Sequence, residues 1–240
     1  MSKKIKEIVN QHFFRPAWYS VIINPYFIAR YGLLLKIKNF AKNDFSGKKI
    51  LDVGCGIKPY KNLFNSSSYV GIDIDYGGHN NQAKVVDKFY DGVNIPYDDN
   101  SFDIVICTEV MEHVVDPEKL LSEIHRVLKI GGRIFFSMPF VWNEHEIPYD
   151  FSRFTRYKHQ DIFKKSGLTI EKIEETTGVF RVCGQLISAF IFERLFVKNK
   201  PLKFLVAVFL CFPIQLFFIV LDFIFKNYWI TLDYAITAKK

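Results

Sequence analysis

This 240-residue chain lacks the signatures of several common protein classes. Its four cysteines, Cys55, Cys107, Cys183 and Cys211, lie far apart and form no Cys-x-x-Cys pair, so neither a disulfide framework nor a zinc site is predicted. The N-terminus shows no signal-type apolar stretch, so a protein of the reducing cytoplasm is expected. The 32 Lys and Arg form no dense run, which argues against nucleic acid as a partner despite a net charge of +7.

The central part of the chain alternates between strand-like and helix-like patterns. Apolar strand patterns occur at residues 50–53, 69–73, 83–87, 102–108 and 133–138. A helix is predicted over residues 117–128, between the fourth and fifth strands. Such βαβ alternation predicts a mostly parallel sheet covered on both faces.

A glycine turn follows the first predicted strand. Gly54-Cys55-Gly56 ends that strand, and Asp73 ends the next one, about 20 residues after Asp52, a spacing typical of nucleotide-binding αβ units. Glycines let backbone approach a ligand, and a carboxylate can accept two ribose hydroxyls. Pro59 stands where a dinucleotide fingerprint has its third glycine, so a pyrophosphate ligand is disfavoured.

An ordered series of motifs extends this pattern over residues 49–140. The series comprises Leu-Asp-Val-Gly-Cys-Gly, Gly-Ile-Asp, Asp-(x)3-Ile-Pro, Asn-Ser-Phe-Asp and Glu-Val-Met-Glu-His. It resembles the class I S-adenosylmethionine-dependent methyltransferases, of type 11, and is most similar to the group that includes the ubiquinone and menaquinone methyltransferases.

The resemblance implies a fold and a domain organisation. The implied fold class is α/β, a doubly wound, mostly parallel, seven-stranded Rossmann-like sheet with N-terminal helices and an apolar helical insertion before the last strand. Residues 1–48 are then an N-terminal helical segment and residues 49–180 the cofactor-binding core. Residues 181–228 are the apolar insertion, and residues 229–240 contain the final strand, expected at 229–237.

The resemblance also implies S-adenosyl-L-methionine as the cofactor. Asp52, Gly54 and Gly56, with Cys55 between them, would surround the methionine part, and Asp73 would hold the ribose. Asp91 and Gly92 would face the adenine, and the end of the fourth strand would line the methyl-donor pocket. The implied cofactor-binding residues are Asp52, Gly54, Cys55, Gly56, Asp73, Asp91, Gly92, Cys107, Thr108 and Glu109.

The segment Glu109-x-x-Glu112-His113 admits a second interpretation. Residues three or four apart share a helix face, so these side chains could converge on a divalent ion. Two carboxylates and one imidazole form an incomplete ligand set, and the alternative is a local capping and packing role. The sequence therefore predicts no metal.

The segment 142–154 follows the fifth strand, where the acceptor would face the methyl group. It combines aromatic and polar residues, as an acceptor pocket requires, and it resembles a stretch of methyltransferases associated with bacterial polysaccharide gene clusters. His145, Glu146 and Asp150 are the candidate catalytic residues, with His145 as the general base. The alternative is a loop whose polar residues hold one another in place.

A long apolar region lies near the C-terminus. Residues 204–220 are nearly all apolar but contain Pro213, and a single span would separate the last strand from the sheet. The sequence therefore predicts two short helices, broken at Pro213, that lie in the membrane interface. Residues 186–226 would contact the membrane surface from the cytoplasmic side; a buried lid or a homodimer interface is the alternative.

The predicted function is S-adenosylmethionine-dependent methylation, with an oxygen of a lipid-linked glycan, a glycolipid or a polyprenyl-type molecule as the acceptor. Two alternatives stay open at this point. One is a nicotinamide-dependent oxidoreductase on a similar sheet, and the other is a non-catalytic membrane-associated protein of the same fold. The sequence leaves the oligomeric state undefined.

Overall fold

The computed structural model describes residues 12–66, 68–75, 84–195 and 200–240. Strands β1 to β7 lie at Lys49–Val53, Ser68–Ile74, Lys88–Tyr90, Phe102–Thr108, Leu128–Pro139, Thr169–Glu175 and Asp233–Lys239. Helices α1 to α6 lie at Phe27–Phe40, Pro117–Val127, Arg156–Lys165, Val179–Phe190, Lys200–Val206 and Phe212–Ile224. Short 3-10 turns lie at Trp18–Ile22, Lys61–Leu63 and Met111–His113, and π-helical turns at Ile191–Leu195 and Ala207–Cys211.

The seven strands form one sheet in the order β3-β2-β1-β4-β5-β7-β6. Strands β1 to β5 pair in parallel, and Val53 at the end of β1 lies beside Ile72 of β2 and Cys107 of β4. Strand β7 lies between β5 and β6. The predicted seven-stranded, mostly parallel sheet with an apolar helical insertion is therefore confirmed.

Contacts within the chain divide it into two compact units. The sheet unit comprises Ile37–Glu174 and Tyr234–Lys240, and the helical unit comprises Met1–Lys36 and Glu175–Asp233. The residues predicted to bind the cofactor and to act on the acceptor all belong to the sheet unit.

Local sequence explains the helix that follows β4. The Asp116 carboxylate accepts a hydrogen bond from the Lys119 N–H at 3.0 Å, and Pro117 occupies the first turn, where its missing N–H costs nothing. Leu120, Ile124 and Val127 recur at helical spacing and are fully buried. This apolar stripe fixes α2 against the sheet.

Two strand predictions were wrong in position. Strand β3 lies at Lys88–Tyr90 instead of residues 83–87, and Ala83 lies outside the described residues. Val85 N–H donates to the Gly56 carbonyl and the Asp87 carboxylate accepts from Gly71 N–H, so this segment is held as a loop beside the glycine turn. Strand β7 begins at Asp233 instead of residue 229, because Trp229 is exposed and outside the sheet.

The prediction of two helices broken at Pro213 was also wrong. Residues 200–224 are helical throughout, and a π-helical turn at Ala207–Cys211 precedes the proline. The wider turn places Pro213 in the first turn of α6, where its missing N–H is tolerated. By length and composition, Leu202–Ile224 could cross a membrane.

Candidate functional site

The glycine turn lies directly after β1, at the carboxyl edge of the parallel strands. The N–H groups of Gly54 and Cys55 donate to the Ile72 carbonyl at 2.9 and 3.0 Å, which ties the turn to β2. Gly54 and Gly56 have φ of +68° and +49°, a region that favours glycine. Among the described residues, no atom lies within 4 Å of a Cβ added at Gly56, so within that part of the chain the turn borders open space, as a bound molecule requires.

Replacing Gly54 by alanine is expected to destabilise the protein. The new Cβ would lie 2.2 Å from Cγ2 of Val110, and the positive φ adds strain, for a combined cost of about 2 kcal/mol. Thermal unfolding should then move down by about 4–8 °C. Gly47→Ala is the matched control, because Gly47 has φ of +73° but no atom near its added Cβ. The double variant Gly54→Ala/Val110→Ala should recover part of the loss, and no recovery would show that the clash is not the cause.

Asp73 is the penultimate residue of β2 and is 7% exposed. Its Oδ2 accepts the Gly56 N–H at 2.8 Å, which joins the carboxylate to the glycine turn. Its Oδ1 accepts from Lys84 Nζ and from the Ile74 N–H, both at 2.8 Å. A bound ribose would therefore either share the Asp73 carboxylate with Lys84 or displace Lys84 from this carboxylate. Sequence reasoning missed Lys84, because no motif links it to Asp73.

Asp52 and Asp91 have different surroundings. Asp52 is buried, and burial raises the pKa of its carboxyl to about 7 although the Tyr69 hydroxyl donates to it at 2.7 Å. The Asp91 carboxylate is exposed and caps its own turn by accepting from the N–H groups of Val93 and Asn94 at 2.9 and 2.6 Å. Its predicted contact with adenine, like the place of Gly92 beside it, stays a prediction.

The end of β4 carries the remaining predicted cofactor residues. Cys107 is fully buried in the core of the sheet unit, and burial raises the pKa of its thiol. Thr108 is the last residue of β4, and Glu109 follows with φ of +53°. The Glu109 carboxylate accepts the Ser137 hydroxyl at 2.6 Å, so β5 positions it. Their predicted roles in the methyl-donor pocket stay predictions.

His145 and Asp150 lie together in the loop after β5. His145 Nδ1 lies 3.2 Å from Asp150 Oδ2 and 3.3 Å from the Asn143 carbonyl, and the His145 N–H also donates to Asp150 at 3.0 Å. Nη2 of Arg153, which can only donate, also lies 3.4 Å from Nδ1. With hydrogen on Nδ1, directed at the Asp150 and Asn143 oxygens, Nε2 would be left as a base. The predicted catalytic roles of His145 and Asp150 stay predictions.

Arg153 completes this arrangement. It donates to both oxygens of Asp150, at 2.6 and 2.8 Å. Burial acts to raise the pKa of Asp150, but the hydrogen bonds and charge of Arg153 outweigh it and hold that pKa at about 2. The Asp-x-x-Arg spacing was the signal that could have identified Arg153, which sequence reasoning left outside the site.

The surroundings of His145 keep its imidazole uncharged at neutral pH. Burial is the main cause of its lowered pKa, followed by the charge of His113, while Asp150 opposes the shift. The His145 and His113 ring centroids are 4.8 Å apart. An uncharged imidazole can accept a proton from a hydroxyl.

Glu112, His113 and Glu146 lie beside this pair. Glu112 is fully buried, and among the described residues neither of its carboxyl oxygens has a hydrogen-bond partner. Burial and the charge of Glu109 raise the pKa of Glu112 well above its usual range. Glu146 Oε1 lies 3.9 Å from His113 Nε2. The structure therefore places Glu146 next to His113, and its predicted catalytic role stays a prediction.

Glu112, His113 and His145 could each offer one metal-ligand atom, and these atoms lie within 4.8 Å of one another. The Glu109 carboxylate, which the sequence suggested as a further ligand, is bonded to Ser137. Three donors form an incomplete set. The absence of a metal cofactor stays a prediction.

Comparisons with known sequences agree with this geometry. A methyltransferase domain family matches residues 27–178, which is more than half of the chain. The ubiquinone biosynthesis O-methyltransferase of Pseudomonas syringae pv. tomato is 33% identical over 107 residues, 39% of this chain and 45% of that protein. The chain thus spans about half the length of the curated relatives it matches.

Solved structures of methyltransferases share the fold. An S-adenosylmethionine-dependent methyltransferase from Mesorhizobium loti is 13% identical, with a TM-score of 0.55 over 89% of this chain and 100% of that one. The Haemonchus contortus phosphoethanolamine N-methyltransferase 2, in complex with phosphomonomethylethanolamine and S-adenosylhomocysteine, is 19% identical. Its TM-score is 0.57 over 92% of this chain and 56% of that chain. At such identities the likeness concerns the fold alone.

Proposed function

Because this chain belongs to the class I S-adenosylmethionine-dependent methyltransferase family, we propose that it transfers a methyl group from S-adenosylmethionine to a hydroxyl of an acceptor. The observation that carries this proposal is the glycine turn, where Gly56 bonds to Asp73 and borders open space. Ligands of such sheets bind beyond the carboxyl ends of the strands, and this turn lies there.

The residues of the turn fit the cofactor. Gly56 borders space for the methionine part, and the Asp73 carboxylate offers an acceptor for ribose hydroxyls. When bound, S-adenosylmethionine supplies a methyl group that is already electrophilic. The contribution of the chain is therefore to orient the acceptor, exclude water and accept the acceptor proton.

We assign proton acceptance to His145. When the acceptor oxygen takes up the methyl group that the bound cofactor would supply, the hydroxyl proton would pass to Nε2 of His145. Asp150 then stabilises the charged imidazole through Nδ1, and Arg153 holds Asp150 in place. A phenol or sugar hydroxyl has a high enough pKa to need such a base.

We propose an acceptor with a lipid part: a lipid-linked glycan, a glycolipid or a polyprenyl-type molecule. The curated relatives are named O-methyltransferases of ubiquinone biosynthesis, which supports an oxygen acceptor. The exposed apolar side chains of the helical unit support a membrane-bound one. The four cysteines are free, which fits a place at the cytoplasmic face of the membrane.

Calorimetry with S-adenosylhomocysteine tests the cofactor assignment. We expect binding at about 1–100 µM, the range of typical enzyme ligands, and no competition from an excess of NAD. Binding of NAD in place of S-adenosylhomocysteine would instead indicate the oxidoreductase. A folded protein that binds S-adenosylhomocysteine but transfers no labelled methyl group to any lipid extract would be a non-catalytic member of the fold.

A further inference from the structure

The last long helical stretch of the helical unit, residues 200–224, has its polar side chains inside and its apolar ones outside. Its inward positions Cys211, Gln215 and Asp222 are buried. Its outward positions form an apolar stripe: Leu205, Phe209, Leu216, Val220 and Phe223, exposed by 48%, 68%, 45%, 48% and 84%. A helix on the surface of a water-soluble domain has the opposite arrangement.

The inward polar side chains are directed toward other parts of the helical unit, although Gln215 Oε1 and Asp222 Oδ1 have no hydrogen-bond partner among the described residues. Gln185 donates to the Pro25 carbonyl at 2.9 Å and accepts the Ala29 N–H at 3.0 Å. Gln215 donates to the Asn24 carbonyl at 3.0 Å. Membrane proteins direct polar side chains toward protein in this way, because the hydrocarbon offers no partners.

Small residues mediate the helix packing. A Cβ added at Gly184 of α4 would lie 2.6 Å from the Cβ of Phe218 in α6, so the glycine permits close approach of the two helices. Likewise, a Cβ added at Gly178 would lie 2.3 Å from Oδ1 of Asp222. Close packing through small residues is typical of helices in lipid.

The charge of the chain is concentrated in the same unit. The sequence segments of the helical unit contain 12 Lys and Arg against five Asp and Glu, which accounts for the whole net charge of +7. The sheet unit contains 20 of each and is neutral. A cationic unit with an exposed apolar stripe is complementary to a bilayer with anionic headgroups.

A backbone hydrogen bond joins the two ends of the C-terminal part of the helical unit. Thr176, just after β6, donates its N–H to the carbonyl of Asp233, the first residue of β7, at 3.1 Å. Helix α4 and residues 200–224 form a helix pair, and an exposed cation lies at each end of it. Arg194 lies at one end and Lys226 at the other. At the Lys226 end, Val179 N–H donates to the Asn227 carbonyl. Only 11 uncharged residues separate Arg181 from Glu193, about 16 Å of helix and half the thickness of the hydrocarbon layer.

We propose that the helix pair formed by α4 and residues 200–224 lies along one leaflet of an anionic phospholipid bilayer, with the apolar stripe immersed in the acyl chains. Both ends of the pair stay at the headgroups of that leaflet, so the unit is anchored firmly without crossing the membrane. This deepens the membrane contact proposed above and is independent of methyl transfer.

Flotation with vesicles tests the anchor. The full chain is synthesised without cells in the presence of vesicles of phosphatidylcholine alone or with phosphatidylglycerol. We expect it to float with the anionic vesicles and to stay bound after washing with salt and with alkaline carbonate. Phe209→Glu/Phe223→Glu should lower the partition into vesicles roughly 100-fold, because each change places a carboxylate among acyl chains.

Ile130→Glu is the matched control, because Ile130 is 89% exposed but belongs to the sheet unit. It should float like the wild type. Calorimetry with S-adenosylhomocysteine verifies that each variant is folded, so a failure of the anchor is separable from a failure of the methyltransferase assignment. The proposal would be overturned if the double variant floated as well as the wild type. It would also be overturned if the wild-type protein formed a dimer that did not bind vesicles.

Labelling distinguishes lying along a leaflet from crossing it. In a Cys183→Ser background, which removes the exposed thiol, Arg194→Cys should react with an impermeant maleimide added outside sealed vesicles. Labelling only after lysis of the vesicles would show that the helix pair crosses the bilayer and would overturn the proposed arrangement.

Discussion

Asp73→Ala is expected to weaken the binding of S-adenosylhomocysteine about 100- to 1,000-fold. Loss of hydrogen bonds to a charged carboxylate costs about 1.5–3 kcal/mol each, and a ribose offers two hydroxyls. The change also removes the acceptor of the Gly56 N–H and the buried partner of Lys84. Calorimetry measures the affinity, and thermal unfolding measures the accompanying loss of stability.

Two further variants separate these contributions. Asp73→Asn keeps an oxygen for the Gly56 N–H but removes the charge, so its affinity should lie between those of the wild type and Asp73→Ala. Asp99→Ala removes a carboxylate whose side chain is 69% exposed and paired with Arg126, and it should leave the affinity unchanged. If Asp73→Ala bound S-adenosylhomocysteine as the wild type does, the ligand would not use this carboxylate.

His145→Ala is expected to lower the rate of methyl transfer by a factor of about 100 to 10,000, the usual contribution of a positioned base. The affinity for S-adenosylhomocysteine should stay unchanged, since His145 acts on the acceptor. Transfer of labelled methyl groups into a lipid extract provides the measurement. His113→Ala is the control, because His113 lies next to His145 but directs its Nδ1 to the Tyr149 carbonyl at 2.6 Å. A larger loss in His113→Ala would assign the base to His113.

The assignment of His145 as the base also predicts how the rate of methyl transfer depends on pH. His145 must be uncharged to accept a proton, so the rate should rise with pH through its pKa. Burial and the neighbouring His113 lower that pKa below 6.5, so the rate should already be at its plateau near pH 7. Asp150→Asn removes the negative charge that opposes this shift, and the profile of the residual activity should move to lower pH. A half-maximal rate above pH 7 would contradict the assignment.

The sequence by itself determined the sheet and the position of the cofactor turn. Strand runs such as residues 50–53 and 102–108 are mostly apolar because parallel strands are buried on both faces, and this pattern is local. A turn that connects a strand to a ligand-binding site needs a particular backbone geometry. The residue types and the spacing that meet this need identify Gly54, Gly56 and Asp73.

Only the tertiary structure decided which side chains act together. The pairing of Lys84 with Asp73 and the edge-to-face contact of His113 with His145 join residues that are distant in sequence, and no local pattern predicts such contacts. The same holds for strand β3, whose predicted segment is held as a loop by bonds to Gly56 and Gly71.

The apolar segment, residues 200–224, shows most clearly which features the sequence determines and which the tertiary structure decides. Its composition predicted membrane contact, and Pro213 predicted a break, because a proline removes one helical hydrogen bond. The structure instead absorbs the proline with a π-helical turn, which composition does not reveal. Which face of the helix turns outward depends on buried partners such as Asn24 for Gln215, 191 residues apart in sequence. The sequence thus determined that the segment is apolar, and tertiary packing decided that its polar side chains lie inside and its apolar stripe lies outside.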